Sequence, residues 1–202
     1  VSAIVVRPLA RSPSKSDRDL IVLVGEGDLG ALGELYDRYA RDVWRVALRL
    51  LRSDADAEDV VHAVFLKLPQ IAGSHDGRSN VRAWLLGICV RLASRHRRSA
   101  ARFFRMISSL AEVAPTSSRL DPEREIGSRQ DLRRLENALA TLAPKKRIAF
   151  MLVELEGLSS DEAARALDVP AATVRTRLHH ARREIDSALK LAESKNEGGS
   201  HE

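Results

Sequence analysis

Residues 157–185 read GLSSDEAARALDVPAATVRTRLHHARREI, and this stretch decides what the chain is built from. Two short helices joined by a tight turn are written into it. Ser159 is placed to cap the first helix, and Glu162, three residues on, can reach back to close a capping box. Ala163, Ala164 and Leu167 give that helix a small apolar face. Asp168-Val169-Pro170 breaks it, because proline cannot continue the hydrogen-bond ladder and disfavours helix at the residue before it. A second helix starts near Ala171, with Val174, Leu178, Ala181 and Ile185 on one stripe at helical spacing. Arg175, Thr176, His179, Arg182 and Arg183 are left on its other faces. A small helix, a short turn and a helix with a basic outer face make a helix-turn-helix. Arg175 and Thr176 stand near the start of the second helix, where such a helix meets base edges: arginine can pair bidentately with guanine, and threonine offers a hydroxyl or a methyl. The spacing is degenerate, and an ordinary helical hairpin with solvated arginines is the competing reading.

Working outward, the 202 residues suffice for one or two small domains with real cores. The net charge of +5 and a pI of about 9.8 fit an anionic partner, but do not choose between nucleic acid and a membrane surface. Arginine far outnumbers lysine, which suits phosphate recognition by the planar guanidinium and suits equally a GC-rich genome. The single cysteine, Cys89, lies in an apolar helical pattern and reads as a buried, inert thiol. A disulfide framework within the chain is excluded, and a reducing, cytoplasmic setting is expected. No apolar run approaches the roughly 18 residues that a membrane span needs, so no membrane insertion is expected. The short apolar start, Val1 to Val6, meets Arg7 and Pro8 too soon to be a signal-peptide core.

Upstream, residues 1–16 mix arginine, serine and proline and read as a loose tail. A helical pattern over Asp17–Val24 is interrupted by Gly25-Glu26-Gly27-Asp28. From Leu29 a long apolar face runs through Leu32, Leu35, Tyr36, Tyr39, Val43, Val46, Ala47, Leu50 and Leu51. After a turn and cap at residues 53–56, Ala57, Val60, Val61, Val64, Phe65 and Leu68 follow the most regular helical spacing in the chain. Its start is acidic, with Asp54, Asp56, Glu58 and Asp59, which complements the helix dipole. A metal or acid/base site is the weaker reading, since no second cluster is spaced to complete one. Docking on a basic partner surface is the third.

Gly73–Asn80, GSHDGRSN, is a loop by composition. Val81, Trp84, Leu85, Ile88 and Leu92 mark the next helix, whose polar positions are almost all arginine: Arg82, Arg91, Arg95, Arg97, Arg98, then Arg102 and Arg105 around Phe103 and Phe104. A basic helix end with aromatics can track phosphates and stack on exposed bases; it can also be a solvated end with two core phenylalanines. Periodicity is then lost over residues 106–127, which read as a linker. A second helical unit follows, with Leu132, Leu135, Leu139 and Leu142 on one helix, Pro144 in the first turn of the next, Ile148, Met151, Leu152 and Leu155 on its buried face, and Gly157 at its end.

Three segments in this order resemble the extracytoplasmic-function (ECF) sigma factors of the sigma-seventy family of bacterial RNA polymerase subunits. DAEDVVHAVFLKL over Asp56–Leu68 is similar to the family's acidic-start helix of region two. VRAWLLGI over Val81–Ile88 resembles its promoter-melting and minus-ten segment. Gly157 to Arg183 resembles the region-four helix-turn-helix. The resemblance covers about Leu20 to Leu189.

The resemblance implies an all-α chain of two small helical domains: a flexible tail over 1–18, a region-two-like domain over 19–105, a flexible linker over 106–127, a region-four-like domain over 128–192 and a polar tail over 193–202. It implies an initiation factor with no catalysis, no metal and no cofactor. Such a chain binds core RNA polymerase and promoter DNA, and an anti-sigma factor is a candidate partner because family members are often held inactive by one. Asp56, Glu58, Asp59, His62, Phe65 and Leu66 would dock on the polymerase. His75, Asp76, Arg78, Ser79 and Asn80 would receive a flipped minus-ten base, an extrusion that costs a few kcal/mol, with Trp84, Arg91, Arg95 and Arg98 supporting melting and holding phosphates. Arg175, Thr176, His179, His180, Arg182 and Arg183 would read the minus-thirty-five element. The chain departs from the family pattern at Arg91 and Arg95, where asparagine and aspartate are usual, at His180, where arginine is common, and at Pro69-Gln70, where an aromatic is frequent. The runner-up function is a stand-alone helix-turn-helix regulator reading paired half-sites as a dimer.

Overall fold

The computed structural model describes residues 15–77, 80–108 and 137–197, with the side chains of 100, 103–108 and 191–197 not described. All regular structure among the described residues is helical. The expected linker lies outside them except for the main chain of residues 106–108, as do Arg78, Ser79, Leu132 and Leu135, residues 1–14 and 198–202, and the side chains of Phe103, Phe104 and Arg105.

Helix α1 spans Asp17–Gly25 and α2 spans Leu29–Leu51. The acceptor that starts α1 is the Ser16 hydroxyl, which takes the Asp19 N–H at 3.2 Å. Asp28 starts α2 by accepting from the Gly30 and Ala31 N–H groups at 2.8 and 3.1 Å, so the polar break between two apolar patterns is also the cap of the second. Tyr39 and Arg38 on α2 both bond to Asp17 and tie α1 down. Arg52, in the left-handed region at φ 58°, closes α2.

Helix α3 spans Asp54–Ile71 with Ser53 as its N-cap. It continues through Pro69-Gln70, where the chain departs from the family pattern. The missing Pro69 N–H costs one hydrogen bond near the end of the helix, where Leu68, fully buried, and Ile71 still pack on the core. A short 3-10 turn over Ala72–Ser74 leads to the loop before α4, Val81–Ser108.

In the second unit, α5 comprises the helical residues 137–141, and α6 spans Pro144–Phe150 with proline at its first position. The helix then widens into a π-helical turn over Met151–Leu155. This departs from the single regular helix that the spacing suggests: Met151 and Leu152 are buried, while Ile148 and Leu155 are only partly so. Gly157, at φ 70°, ends the run. Helices α7, Ser160–Leu167, and α8, Ala171–Glu197, complete the unit.

The two units share a core. One cluster joins Leu35, Val46, Leu68 and Leu85 of the first unit to Ala149, Leu152, Ala163 and Val174 of the second. A smaller cluster, Ala138, Leu142, Phe150, Leu178, Ala181 and Ile185, belongs to the second unit alone.

Candidate nucleic-acid interface

The helix-turn-helix forms as its residues dictate. Ser159 Oγ accepts the Glu162 N–H at 3.2 Å, and Glu162 Oε2 accepts the Ser159 N–H at 2.9 Å, which completes the capping box. The N–H and hydroxyl of Ser159 hold the Glu162 carboxyl below the usual carboxylate range, with a smaller contribution from the side chain of Asn80 across the unit boundary. Asp168 takes the left-handed conformation at φ 54° and closes α7, which aims the chain at Pro170 and the start of α8. Val174, Leu178, Ala181 and Ile185 are all buried, so α8 must present its opposite side outward.

Thr176, His179 and Arg183 stand on that outer side, with His180 beside them, and all four are exposed. The His179 and His180 rings meet edge to face at 5.8 Å between centroids. The Thr176 hydroxyl donates to the Ala172 carbonyl at 2.9 Å. Arg175 and Arg182 flank the buried stripe and each meets a carboxylate: Arg175 Nη1 lies 3.7 Å from Asp161, and Arg182 Nε lies 3.1 Å from Glu154. Both pairs are exposed and hold these arginines only loosely.

On the first unit, His75 packs edge-on against Trp84 at 5.1 Å, and its Nδ1 accepts the Gly77 N–H at 3.2 Å. Asp76 is exposed. Asn80 Oδ1 accepts from the Arg82 N–H at 2.9 Å, and its carbonyl accepts from the Trp84 N–H at 3.0 Å, so Asn80 both ends the loop and begins α4. Along α4, Trp84 is half-buried, whereas Arg95 and Arg98 are exposed. Arg91 behaves differently: its Nη1 donates to the Ala166 carbonyl of α7 at 2.9 Å, and partial burial there lowers its pKa.

The α3 surface divides the residues expected to dock. Glu58, Asp59 and His62 are exposed, and Leu66 is 74% exposed. With Tyr36, Ala40, Arg41, Trp44 and Val61, Glu58 and His62 line a shallow groove of about 430 Å³. Asp56 is half-buried, 3.6 Å from His96 Nε2. Phe65 is corrected: at 4% exposure, with its ring edge-on to Tyr36 at 4.9 Å, it is a core residue that supports this surface and does not reach a partner.

Sequence reasoning missed Glu156. It follows a run of apolar residues with no periodic signal of its own, and its carboxylate is bonded by Arg45, Arg49 and Arg82, which lie 74 to 111 residues away in the chain.

A helical unit with an exposed acidic and apolar helix, fused to a helix-turn-helix with a basic outer face, defines a class of DNA-binding transcription protein. The comparisons agree. Residues 35–103 match the sigma-70 region 2 family and residues 132–185 match sigma-70 region 4. The chain belongs to the sigma-70 family of RNA polymerase sigma factors, and within it to the ECF group. It is 32% identical over 159 residues to the ECF RNA polymerase sigma factor SigL of Mycobacterium tuberculosis, covering 77% of this chain and 87% of that one. The RNA polymerase sigma-H factor of Pseudomonas aeruginosa is 29% identical over 190 residues, covering 87% and 95%. The fold matches that of CnrH, solved in complex with the cytosolic domain of CnrY, with a TM-score of 0.64 at 24% identity over 88% of this chain and 99% of that one. The stand-alone regulator is thereby set aside.

Proposed function

We propose that this chain binds core RNA polymerase through α3, directs it to promoters with minus-ten and minus-thirty-five elements, and assists melting without a catalytic step of its own. The observation that carries this reading is the outer side of α8, where Thr176, His179, His180 and Arg183 are exposed together opposite a fully buried stripe. Such a helix fits the major groove, and its arginines suit guanine or phosphate. Arg175 and Arg182 join it once their exposed carboxylate partners are exchanged for DNA. The exposed Arg95 and Arg98 on α4 suit the phosphates of a melted strand, and Trp84 against His75 supports the loop that would receive a flipped base. Asp56, Glu58, Asp59, His62 and Leu66 form the polymerase surface.

Among the described residues no helix is long and apolar enough to cross a membrane, and the working compartment is proposed to be the cytoplasm. The sigma factor RpoE of Bartonella quintana, similar in fold, was solved in complex with the anti-sigma factor NepR, and a partner of that kind is proposed here. Run-off transcription with purified core polymerase, with and without this protein, on promoters from its own genome tests the reading. Specific initiation that depends on the added protein is expected; the absence of both initiation and co-elution with core would overturn it.

A further inference from the structure

The two units meet on charge as well as on apolar surface. Glu156 is buried, with no exposed side-chain area. Its carboxylate accepts from Arg45 Nε at 3.2 Å and Nη2 at 2.8 Å, from Arg82 Nη2 at 2.8 Å, and from Arg49. Arg82 Nη1 also donates to the Glu156 carbonyl at 2.8 Å. Asp42 adds a second carboxylate to the cluster, 2.9 Å from Arg45 Nη2 and paired with Arg82. All three arginines stand on the first unit, on α2 or α4, and Glu156 stands on the second. A carboxylate taken out of water is costly unless cations and donors replace its hydration. Glu156 has that replacement only while the units are together.

A few residues further along α4 the backbones themselves touch. A Cβ on Gly87 would lie 2.3 Å from the Ala166 oxygen and 2.9 Å from its carbonyl carbon, so only glycine admits this approach. Arg91 donates to that same carbonyl, at the end of α7 where the helix dipole favours a cation. Asn80 reaches Glu162 at the start of α7.

We infer that Glu156 with Arg45, Arg49 and Arg82, together with the Gly87–Ala166 contact and the Arg91 bond, forms a latch that holds the helix-turn-helix unit closed over the minus-ten segment. In this resting state the Arg82 side chain is only 23% exposed, and Arg91, though exposed, spends one N–H on the Ala166 carbonyl, so promoter engagement by both requires the units to part. The Arg91 departure from the family pattern thereby acquires a role: it closes the latch. The latch itself stands independently of the sigma reading; its consequence for promoters rests on that reading.

Hydrogen exchange of the full chain, read by mass spectrometry, tests it on Glu156→Gln and Gly87→Ala. The first removes the buried charge. The second adds a methyl that collides across the boundary while favouring α4 itself, since alanine is the better helix former. Amides of residues 158–168 are expected to exchange about tenfold faster or more in both variants, the low end of what hydrogen bonds to a charged group contribute. Those of the second unit's own core, around Leu178 and Ala181, are expected to stay within about twofold, because sites without shared partners respond independently. Unchanged exchange at 158–168 in both variants, or equal acceleration around Leu178, would overturn the latch. The open variants should also reach half-maximal run-off at lower protein concentration. Transcription from neither wild type nor variants would count against the sigma reading and leave the exchange result standing.

Discussion

Leu66 separates docking from folding in a single substitution. It is 74% exposed on α3, while its neighbour Phe65 is 4% exposed. Leu66→Ala removes three carbons that the folded chain scarcely uses. Burying each carbon in a partner is worth about 0.8 kcal/mol. Scaled by the exposure that remains to be lost, complete coverage by polymerase makes the truncation cost about 1.8 kcal/mol of binding, roughly twentyfold in Kd. The stability of the chain should stay within about 0.5 kcal/mol, because a surface change away from caps and core does little. Competition binding of labelled protein to core polymerase, beside urea denaturation of the free protein, measures both halves. A Kd within twofold of wild type would refute the assignment of Leu66 to the polymerase surface. A large loss of stability would refute the description of Leu66 as a side chain with nothing to hold.

Three further outcomes are expected. Arg175→Ala should cost about 1–3 kcal/mol at one minus-thirty-five base pair, read by binding to a set of single-base promoter variants; a uniform loss across all of them would make Arg175 a phosphate contact. Because the folded Glu162 carboxyl sits below its ordinary value, its contribution is fully present above the usual carboxylate range and is lost as pH falls through the lowered value. Glu162→Gln should therefore flatten the acid limb of stability measured by urea titration at successive pH values, and an identical pH dependence would contradict the capping box. Burial pushes the Cys89 thiol up to about 12, so at pH 8 an aromatic disulfide reagent should modify the native chain about a thousandfold more slowly than the unfolded one; reaction at the unfolded rate would show that Cys89 is accessible.

Local signals decided much of this molecule. Ser53 and Ser159 could be read as caps because a cap is satisfied within three residues, so sequence proximity carries the whole interaction. The stripes over Val60–Leu68 and Val174–Ile185 could be read because helical periodicity sorts side chains before any partner is known. The outer face of α8 followed from its buried face by geometry alone. Phe65 was misplaced among the docking residues although the stripe already put it inside; its burial against Tyr36 agrees with the stripe. The path of the chain at Pro69 was not legible, because the proline's lost hydrogen bond is local while the apolar contacts of Leu68 and Ile71 that hold the helix together past it are not.

What the tertiary structure alone decided is where the second unit sits. The chain read as two domains on a linker, and each has the apolar residues to support that reading. Glu156 offers no period and no motif, and its three arginine partners are more than seventy residues distant. Gly87 reads as a weak point in a helix until the Ala166 carbonyl is placed against it. Sequence pattern therefore determined the helices, their caps and the faces they expose, since those depend on spacing along one chain segment. The pairing of units depends on charge and shape meeting across the fold, which no spacing along the chain records.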